Sequence, residues 1–389
     1  MDKSRVKLFI KIDTKVLRIS QILGYFPIPV ENGSHTALRK NISTVPSLLF
    51  CLFGFGCILI FTYHIKADHV HYGAPEVGPQ FFSSTFYATV FLKGTAHIFT
   101  IIFVRLTIFL SREELSKFYD EFVSLVEQFS LFFHTTKTSE LTNAGSAIRN
   151  RFEGRFKVEI ILLGLSCFVL IIDMWEAHIS NPAAASFSIF VATIPSTLGY
   201  IHAIFLCQLA FFFNWYLEIL CGLEESHFTL VEMKIQLYYR LSANVSSFAR
   251  LFNACIVIDM AHSVMRIIFS SYFIASFIGQ PYYTGRGIAS DTVTVMGYLY
   301  LIFMICKKGS QMGNASDDFI KSCDCGYGKD GNLGGEGQIY LVRQSSPKLK
   351  RIWLDTDYFR VDLGLIAPII GTLVTNLIVL MQFQKGDKT

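Results

Sequence analysis

Six ionisable side chains lie inside segments of the sequence that are otherwise apolar. A charged group is costly inside a bilayer, so it usually faces a neighbouring helix or a water-filled cavity. Two kinds of chemistry are open to such groups. They can pair with one another and hold helices together, or they can bind a polar small molecule in a cavity open to the outside, and the residue types favour both equally. The six residues are Lys93, His97, Asp173, Asp259, His262 and Arg266.

Aromatic residues in the outer halves of the apolar segments would suit the walls of such a cavity, because ligand pockets are lined mainly by apolar and aromatic side chains. Tyr87, Trp175 and Tyr298 have this placement. Taken singly, each also fits the protein core or the interfacial belt. The candidate ligand-pocket residues are therefore Tyr87, Lys93, Asp173, Trp175, His262, Arg266 and Tyr298.

The elements that must position these residues are long apolar stretches. Hydrophobic residues make up 52% of the 389 residues and charged residues only 16%, which excludes an ordinary soluble domain. About 20 apolar residues are needed to cross roughly 30 Å of hydrocarbon. The sequence therefore predicts an all-α membrane protein with seven transmembrane helices. The predicted spans lie near 45–64, 84–104, 158–176, 187–213, 251–278, 292–306 and 361–383.

The distribution of lysine and arginine orients these spans, since the loops richest in them stay cytoplasmic. One set of segments holds 28 of these residues, and the loops on the opposite side hold 2. The N-terminus is therefore expected in the cytoplasm and the C-terminus outside. The basic set is 1–44, 105–157, 218–250 and 307–360, and the opposite set is 65–83, 177–186 and 279–291.

The predicted organisation follows from this topology. The apolar pattern around the fourth span runs from about 183 to 217, which is longer than a bilayer is thick, so that helix should continue into the cytoplasm. Residues 105–157 have the spacing of an amphipathic cytoplasmic helix. The parts are a cytoplasmic segment (1–44), helices one to six with their cytoplasmic extensions (45–306), a Gly-rich loop with an anchor helix (307–360), helix seven (361–383) and an extracellular tail (384–389).

No catalytic motif stands out in the sequence. It contains no G-x-S-x-G, no H-E-x-x-H and no P-loop. A G-x-G-x-x-G spacing at 326–331 lacks the preceding strand and following helix that would bind a dinucleotide. We therefore expect neither an enzyme nor a cofactor or metal centre, and no nucleic-acid partner.

The last apolar segment carries polar residues on one helical face. At roughly 100° per residue, Thr372, Thr375, Val379 and Gln382 fall on one stripe. In one interpretation the small residues form a tight helix contact and Gln382 reaches the outer interface. In the other, the stripe lines a water-filled pore, with an apolar ring at Val379 and an amide ring at Gln382. The periodicity does not decide between them.

The same segment resembles a known family. "TNLIVLMQF", Thr375 to Phe383, is similar to the C-terminal signature of insect gustatory receptors, which is Thr-Tyr, five hydrophobic residues and Gln-Phe. Asn376 stands where the signature has Tyr, which bears on how helix seven contacts its neighbours. Leu377 stands where sugar receptors usually carry Glu. Further similar positions are Phe359, Val361, Asp362, Gly371, Asn253 and "LGYFPI" (Leu23–Ile28).

The resemblance implies a chemosensory receptor that is itself a ligand-gated, non-selective cation channel. Four subunits, identical or from the same family, would surround a central pore lined by helix seven. Cytoplasmic ends of helices four to seven would form the anchor between subunits. The hydrophobic gate would be Val379, and Gln382 would narrow the pore, with Thr372 and Thr375 also lining it. A small-molecule tastant would bind in the outer half of each subunit, in the plasma membrane of sensory neuron dendrites.

Two alternatives remain open at this stage. Insect odorant receptors share the expected fold. A transporter or scaffold in which helix seven only contacts its neighbours would belong to a different functional class.

Overall fold

The computed structural model of the protein describes residues 17–28, 49, 52, 56, 84–136, 194–225, 231–277, 285–325 and 349–386. Within these residues the chain is helical, and a single isolated β-bridge joins Asp355 to Arg360. The helices are α1 (Ser84–Leu110), α2 (Arg112–Thr136), α3 (Ile194–Glu225), α4 (Val231–Phe277), α5 (Gly285–Cys325) and α6 (Ile366–Gly386), the last preceded by a 3-10 turn (Leu363–Leu365).

Four of the described helices contain a stretch that is long and apolar enough to cross a membrane. These stretches are Leu92–Leu110 in α1, Ile204–Leu223 in α3, Glu232–Ser276 in α4 and Leu363–Phe383, which is mainly α6. They correspond to the predicted second, fourth, fifth and seventh spans. The predicted sixth span, 292–306, lies within α5. The predicted third span, 158–176, and nearly all of the first, 45–64, lie outside the described residues.

Several helices are too long for the bilayer. The 47 residues of α4 extend over about 70 Å at 1.5 Å per residue, more than twice the hydrocarbon thickness. The 32 residues of α3 continue to Glu225, as the long apolar pattern predicted. Helix α5 continues to Cys325, well beyond residue 306, so the first part of the segment predicted to hold a Gly-rich loop and an anchor helix (307–360) is helical. The excess lengths of α3, α4 and α5 contact one another.

An aromatic core joins α2, α3 and α4. Helix α2 begins with Glu113 and Glu114, which suit the positive end of the helix dipole. Its apolar side then places Phe118 and Phe122 edge-on to Phe212 of α3, with ring centroids 5.3 and 5.1 Å apart. Such pairs contribute about 0.5–1.5 kcal/mol each beyond their burial. The amphipathic helix predicted within 105–157 is therefore confirmed as far as Thr136.

The motif "LGYFPI" enters this core from the N-terminal side. Tyr25 and Phe26 are completely buried. Gly24 before them has φ of 79°, a left-handed conformation that a residue with a Cβ rarely adopts. Arg105 at the end of α1 donates from Nε to the carbonyl of Leu23 at 3.1 Å and lies over the Tyr25 ring at 4.2 Å. The glycine thus provides the turn that lets both aromatic rings point inward.

The segment that leads into α6 lies along α5. We call residues 349–362 the connecting segment. Two glycines one turn apart on α5 let it approach closely, because a Cβ on Gly309 would lie 1.8 Å from the Val361 oxygen and a Cβ on Gly313 would lie 2.1 Å from the Trp353 ring. Ser310 accepts a hydrogen bond from the Leu363 amide at 2.9 Å. The start of α6 is therefore held against α5 by direct backbone contact.

Candidate functional site

A cluster of buried polar side chains lies between α1, α3, α4 and the N-terminal segment. We call Tyr25, His97, His202, Asp259 and His262 the buried polar cluster. None of the five is more than 1% exposed. They meet among helices that are otherwise apolar, so a polar group here needs a partner from the protein or from a ligand.

His202 is the centre of this cluster. Its Nε2 lies 2.7 Å from Oδ1 of Asp259, and its Nδ1 lies 2.7 Å from the Tyr25 hydroxyl. Both ring nitrogens are thus engaged, which fixes the orientation of the imidazole. The hydroxyl of Tyr25 and the carboxylate of Asp259 hold the ring from opposite sides.

The second pair of the cluster is His97 and His262. Nδ1 of His97 lies 2.5 Å from Nε2 of His262, and the ring centroids are 4.7 Å apart. The His262 ring also meets the His202 ring edge-on at 5.9 Å. The Nδ1 of His262 and the Oδ2 of Asp259 are buried and have no hydrogen-bond partner among the described residues.

The charged residues lie next to this cluster. Arg266 follows His262 by one turn of α4, and its guanidinium lies 5.7 Å from the centroid of the Tyr298 ring. The His262 ring meets the same tyrosine at 6.1 Å. Lys93 on α1 forms an ion pair with Asp291 of α5 at 3.1 Å and lies over the Phe273 ring at 4.8 Å. Polar and aromatic groups from α1, α4 and α5 therefore surround one interior region.

The predicted pocket residues fall into three groups. His262, Arg266 and Tyr298 are brought together, and Lys93 is held nearby by Asp291. Tyr87 belongs to α1, but its side chain is outside what the structure describes, and Asp173 and Trp175 lie outside the described residues. The pocket assignment itself stays a prediction.

Three residues of this region were missed by sequence reasoning. His202 is ionisable and lies in the predicted fourth span, so the criterion that identified His262 applies to it as well. Asp291 was assigned to an extracellular loop, yet its carboxylate pairs with Lys93. Tyr25 carries no signal of its own, because its contact with His202 joins residues 177 positions apart.

Helix α6 has an inner and an outer face. The inner face consists of half-buried residues that contact the rest of the subunit, and the outer face is exposed. At roughly 100° per residue the two faces are opposite one another. Thr372, Thr375, Val379 and Gln382 all belong to the exposed outer face. The inner face is formed by Ile366, Ile369, Leu373, Leu377, Leu380 and Met381.

Three polar side chains of α6 hydrogen bond to the backbone of the helix itself. The hydroxyls of Thr372 and Thr375 donate to the carbonyls of Pro368 and Gly371 at 2.9 Å. Asn376, at the position of the signature tyrosine, donates from Nδ2 to the carbonyl of Thr372 at 2.8 Å. Side chains that bond back by one turn leave their oxygen atoms available to solvent or a neighbour. The two threonines of the stripe therefore need no contact with another helix of the subunit.

The connecting segment is tied to α4 by Asn253. The Asn253 side chain hydrogen bonds to the Asp357 carboxylate and accepts from the Asp357 amide at 3.1 Å. Farther along, Arg360 donates to Asp355 at 2.7 Å, and this hydrogen bond raises the pKa of the guanidinium further above its usual range. Arg360 also lies over the Trp353 ring at 4.4 Å. Helix α4 thus contacts both the buried polar cluster and the segment that leads into α6.

A cavity of about 570 Å³ lies between α4 and the connecting segment. None of the predicted ligand-pocket residues lines it. Asn253 and Asp357 lie on its wall together with Arg250, Arg351 and Trp353. The cavity borders the contact between α4 and the connecting segment.

A comparison with known protein families matches most of the chain. The family described as "7tm Chemosensory receptor" matches residues 16–321 of the chain. No curated protein sequence matches the chain significantly.

Solved structures with a similar fold are also found. The insect olfactory receptor OR5 from Machilis hrabei is 12% identical, with a TM-score of 0.71, and the alignment covers 97% of this chain and 99% of that one. The same receptor in complex with eugenol is 14% identical, with a TM-score of 0.60, covering 98% of this chain and 100% of that one. At such low identity the likeness shows the fold.

Proposed function

The chain belongs to the family of 7tm chemosensory receptors, and from that membership we propose that it is a taste receptor acting as a ligand-gated, non-selective cation channel. Binding of a small-molecule tastant opens a pore at the centre of a tetramer, and helix α6 of each subunit lines that pore. The protein is a multi-pass receptor whose place is the plasma membrane of a sensory neuron, with its N-terminus inside and its C-terminus outside.

The exposed outer face of α6 is the observation that carries this proposal. No residue of Leu363–Phe383 is fully buried inside the subunit. Something outside the subunit must therefore cover Thr372, Thr375 and Gln382. Lipid is a poor partner for the amide of Gln382, whereas a water-filled pore solvates it.

The pore roles follow from the chemistry of the stripe. Val379 presents an exposed apolar side chain between polar neighbours, so symmetry-related copies would form a hydrophobic ring that gates by dewetting. Gln382 lies nearly one turn beyond and would form an amide ring that partly replaces ion hydration. Thr372 and Thr375 would line the wider part of the pore.

The ligand would bind near Lys93, His262, Arg266 and Tyr298. Arg266 and His262 both face the Tyr298 ring, which combines charge, hydrogen bonding and an apolar wall. The solved complex of OR5 with eugenol supports a small-molecule ligand in this fold. Tyr87, Asp173 and Trp175 remain candidate pocket residues.

Helix α4 offers the route from ligand to pore. His262 and Arg266 lie on it, and so does Asn253, which holds Asp357 of the connecting segment. That segment contacts Gly309 of α5 immediately before α6 begins. A shift of α4 on ligand binding would thus be transmitted to α6.

An odorant receptor is the second candidate, because the solved structures of similar fold are those of an olfactory receptor. Patch-clamp recording from cells that express this chain alone tests both. The cells are challenged with sugars, bitter compounds, amino acids and volatile odorants. A cation current evoked by a soluble tastant supports the taste receptor, and one evoked only by volatiles supports the odorant receptor. If the chain reaches the surface and neither it nor its Val379→Ala variant conducts, it does not form a channel by itself.

A further inference from the structure

We infer that His202, Asp259 and His262 form a binding site for a divalent transition-metal ion, for which Zn²⁺ is the best match. This inference does not depend on the proposed channel function. Two imidazoles and one carboxylate are the ligand set that zinc takes in many protein sites with an open fourth position.

The distances suit such an ion. One ligand atom from each residue lies within 4.8 Å of the other two. Ligand atoms around tetrahedral zinc lie roughly 3.4 Å apart, given bonds of about 2.1 Å. To bind the ion, the three side chains must rotate, and the 2.7 Å hydrogen bond between His202 Nε2 and Asp259 Oδ1 must be replaced by bonds from His202 Nε2 and the Asp259 carboxylate to the metal.

The placement on the helices also matches. Asp259 and His262 are three residues apart on α4 and therefore project from one face. His202 projects towards them from α3. Helical bundles build metal sites from a carboxylate and a histidine at this spacing, completed by ligands from a facing helix.

The surrounding groups are those that ligating histidines need. A histidine that binds a metal through one nitrogen usually has a hydrogen-bond partner at the other. His202 has the Tyr25 hydroxyl at Nδ1, and His262 has His97 at Nε2. If His262 donates its Nε2 proton to His97, the lone pair of His262 Nδ1 is free to bind the ion.

The ion would bind two buried atoms of the cluster that have no hydrogen-bond partner in the described part of the chain. His262 Nδ1 and Asp259 Oδ2 have no hydrogen-bond partner among the described residues. A purely structural hydrogen-bond network explains the contact between His202 and Asp259 but leaves these two atoms unsatisfied, at a cost in stability. A metal ion satisfies both. Arg266, one turn further along α4, brings positive charge, so the fourth ligand is expected to be an anion such as hydroxide or chloride.

The test uses the full-length receptor, purified with an affinity tag that lacks histidine and reconstituted in lipid nanodiscs. Co²⁺ replaces Zn²⁺ as the probe, because its visible absorption reports tetrahedral coordination. We expect a saturable tetrahedral signal that Zn²⁺ displaces, and a rise in the unfolding temperature with metal. Asp259→Asn and His262→Gln should abolish both. Asp318→Asn removes an exposed carboxylate on α5 and should change neither.

A second variant keeps the test decisive if the ligand variants fail to fold. His97→Leu leaves all three ligands in place and removes only the partner of His262. It should weaken Co²⁺ binding by about 10- to 100-fold while the absorption spectrum keeps its shape. The inference is overturned if the wild-type chain gives no saturable tetrahedral signal, if Asp259→Asn binds Co²⁺ as the wild type does, or if His97→Leu leaves the affinity unchanged.

Discussion

The backbone oxygen of Val361 occupies the space in which a side chain on Gly309 would begin. An ideal Cβ at position 309 would lie 1.8 Å from that oxygen, so no residue larger than glycine fits without moving the chain. This contact holds the connecting segment against α5 immediately before α6 starts. The position of α6 therefore depends on the absence of a side chain at position 309.

Replacing Gly309 with alanine should displace the start of α6. A methyl group cannot be accommodated against a backbone carbonyl, so the segment must move or the receptor must lose stability. We expect altered ligand-independent current or reduced surface expression. Gly297→Ala is the matched control on the same helix, because a Cβ there meets nothing within 4 Å. If Gly309→Ala and Gly297→Ala give the same ligand-independent current and the same surface expression, the close contact at Gly309 does not determine the position of α6.

The gate proposed at Val379 predicts a contrast between neighbouring residues. Val379 and Ile378 are both exposed, at 40% and 52%, but they lie roughly 100° apart around α6. Val379→Ala should raise the current recorded without ligand, because a smaller apolar ring is easier to wet. Ile378→Ala, an equally exposed truncation, should leave this current unchanged. Similar effects from both would argue against a gate at Val379.

Lys93 and Asp291 should behave as a coupled pair. Lys93→Met leaves the Asp291 carboxylate without its partner at 3.1 Å, and we expect a loss of about 1–3 kcal/mol in stability. The double variant with Asp291→Leu should recover most of this, since an apolar pair tolerates burial. Thermal unfolding of the purified receptor measures both.

The control for this pair is Lys321→Met. Lys321 and Asp318 form an exposed pair at 3.6 Å, which contributes little in water. If Lys93→Met lowers the stability no more than Lys321→Met does, and only shifts the ligand dose response, Lys93 acts in ligand binding and has no structural role.

The contact between Asn253 and Asp357 predicts an exchange experiment. Asn253→Asp brings two carboxylates together and should weaken the contact between α4 and the connecting segment by about 1 kcal/mol or more. The double variant Asn253→Asp with Asp357→Asn exchanges the amide and the carboxylate and should restore the hydrogen bond. The readout is the ligand concentration for half-maximal current, and Asn314→Asp, exposed on α5, is the control. If the double variant stays as impaired as the single one, Asn253 does not take part in transmitting ligand binding to α6.

Features that depend on local periodicity were predicted from the sequence better than features that depend on contacts between distant residues. The stripe on α6 needs only the pitch of a helix, so Thr375 and Gln382 were placed on one face from the sequence. Helix lengths followed from the apolar runs, but α5 beyond residue 306 is polar, and only the family resemblance implied a cytoplasmic extension there.

The buried polar cluster could not be assembled from the sequence. Tyr25 and His202 are 177 positions apart, and His202 and Asp259 are 57 apart. Which of many polar residues inside the spans meet depends on how the helices cross, and hydrophobic periodicity does not encode this. The two close-contact glycines of α5, Gly309 and Gly313, were missed for the same reason, since a glycine in a helix is equally compatible with open space, as Gly297 shows.

The relative permeability of the Gln382→Glu variant is the most direct test of a pore lined by α6. Currents are recorded from cells that express the wild type or the variant at equal surface levels, and the reversal potential is measured after Ca²⁺ replaces Na⁺ outside. A ring of carboxylates at this position should raise the permeability to Ca²⁺ relative to Na⁺ and shift the reversal potential to more positive values. An unchanged reversal potential in a conducting variant would contradict a pore in which Gln382 faces the ions.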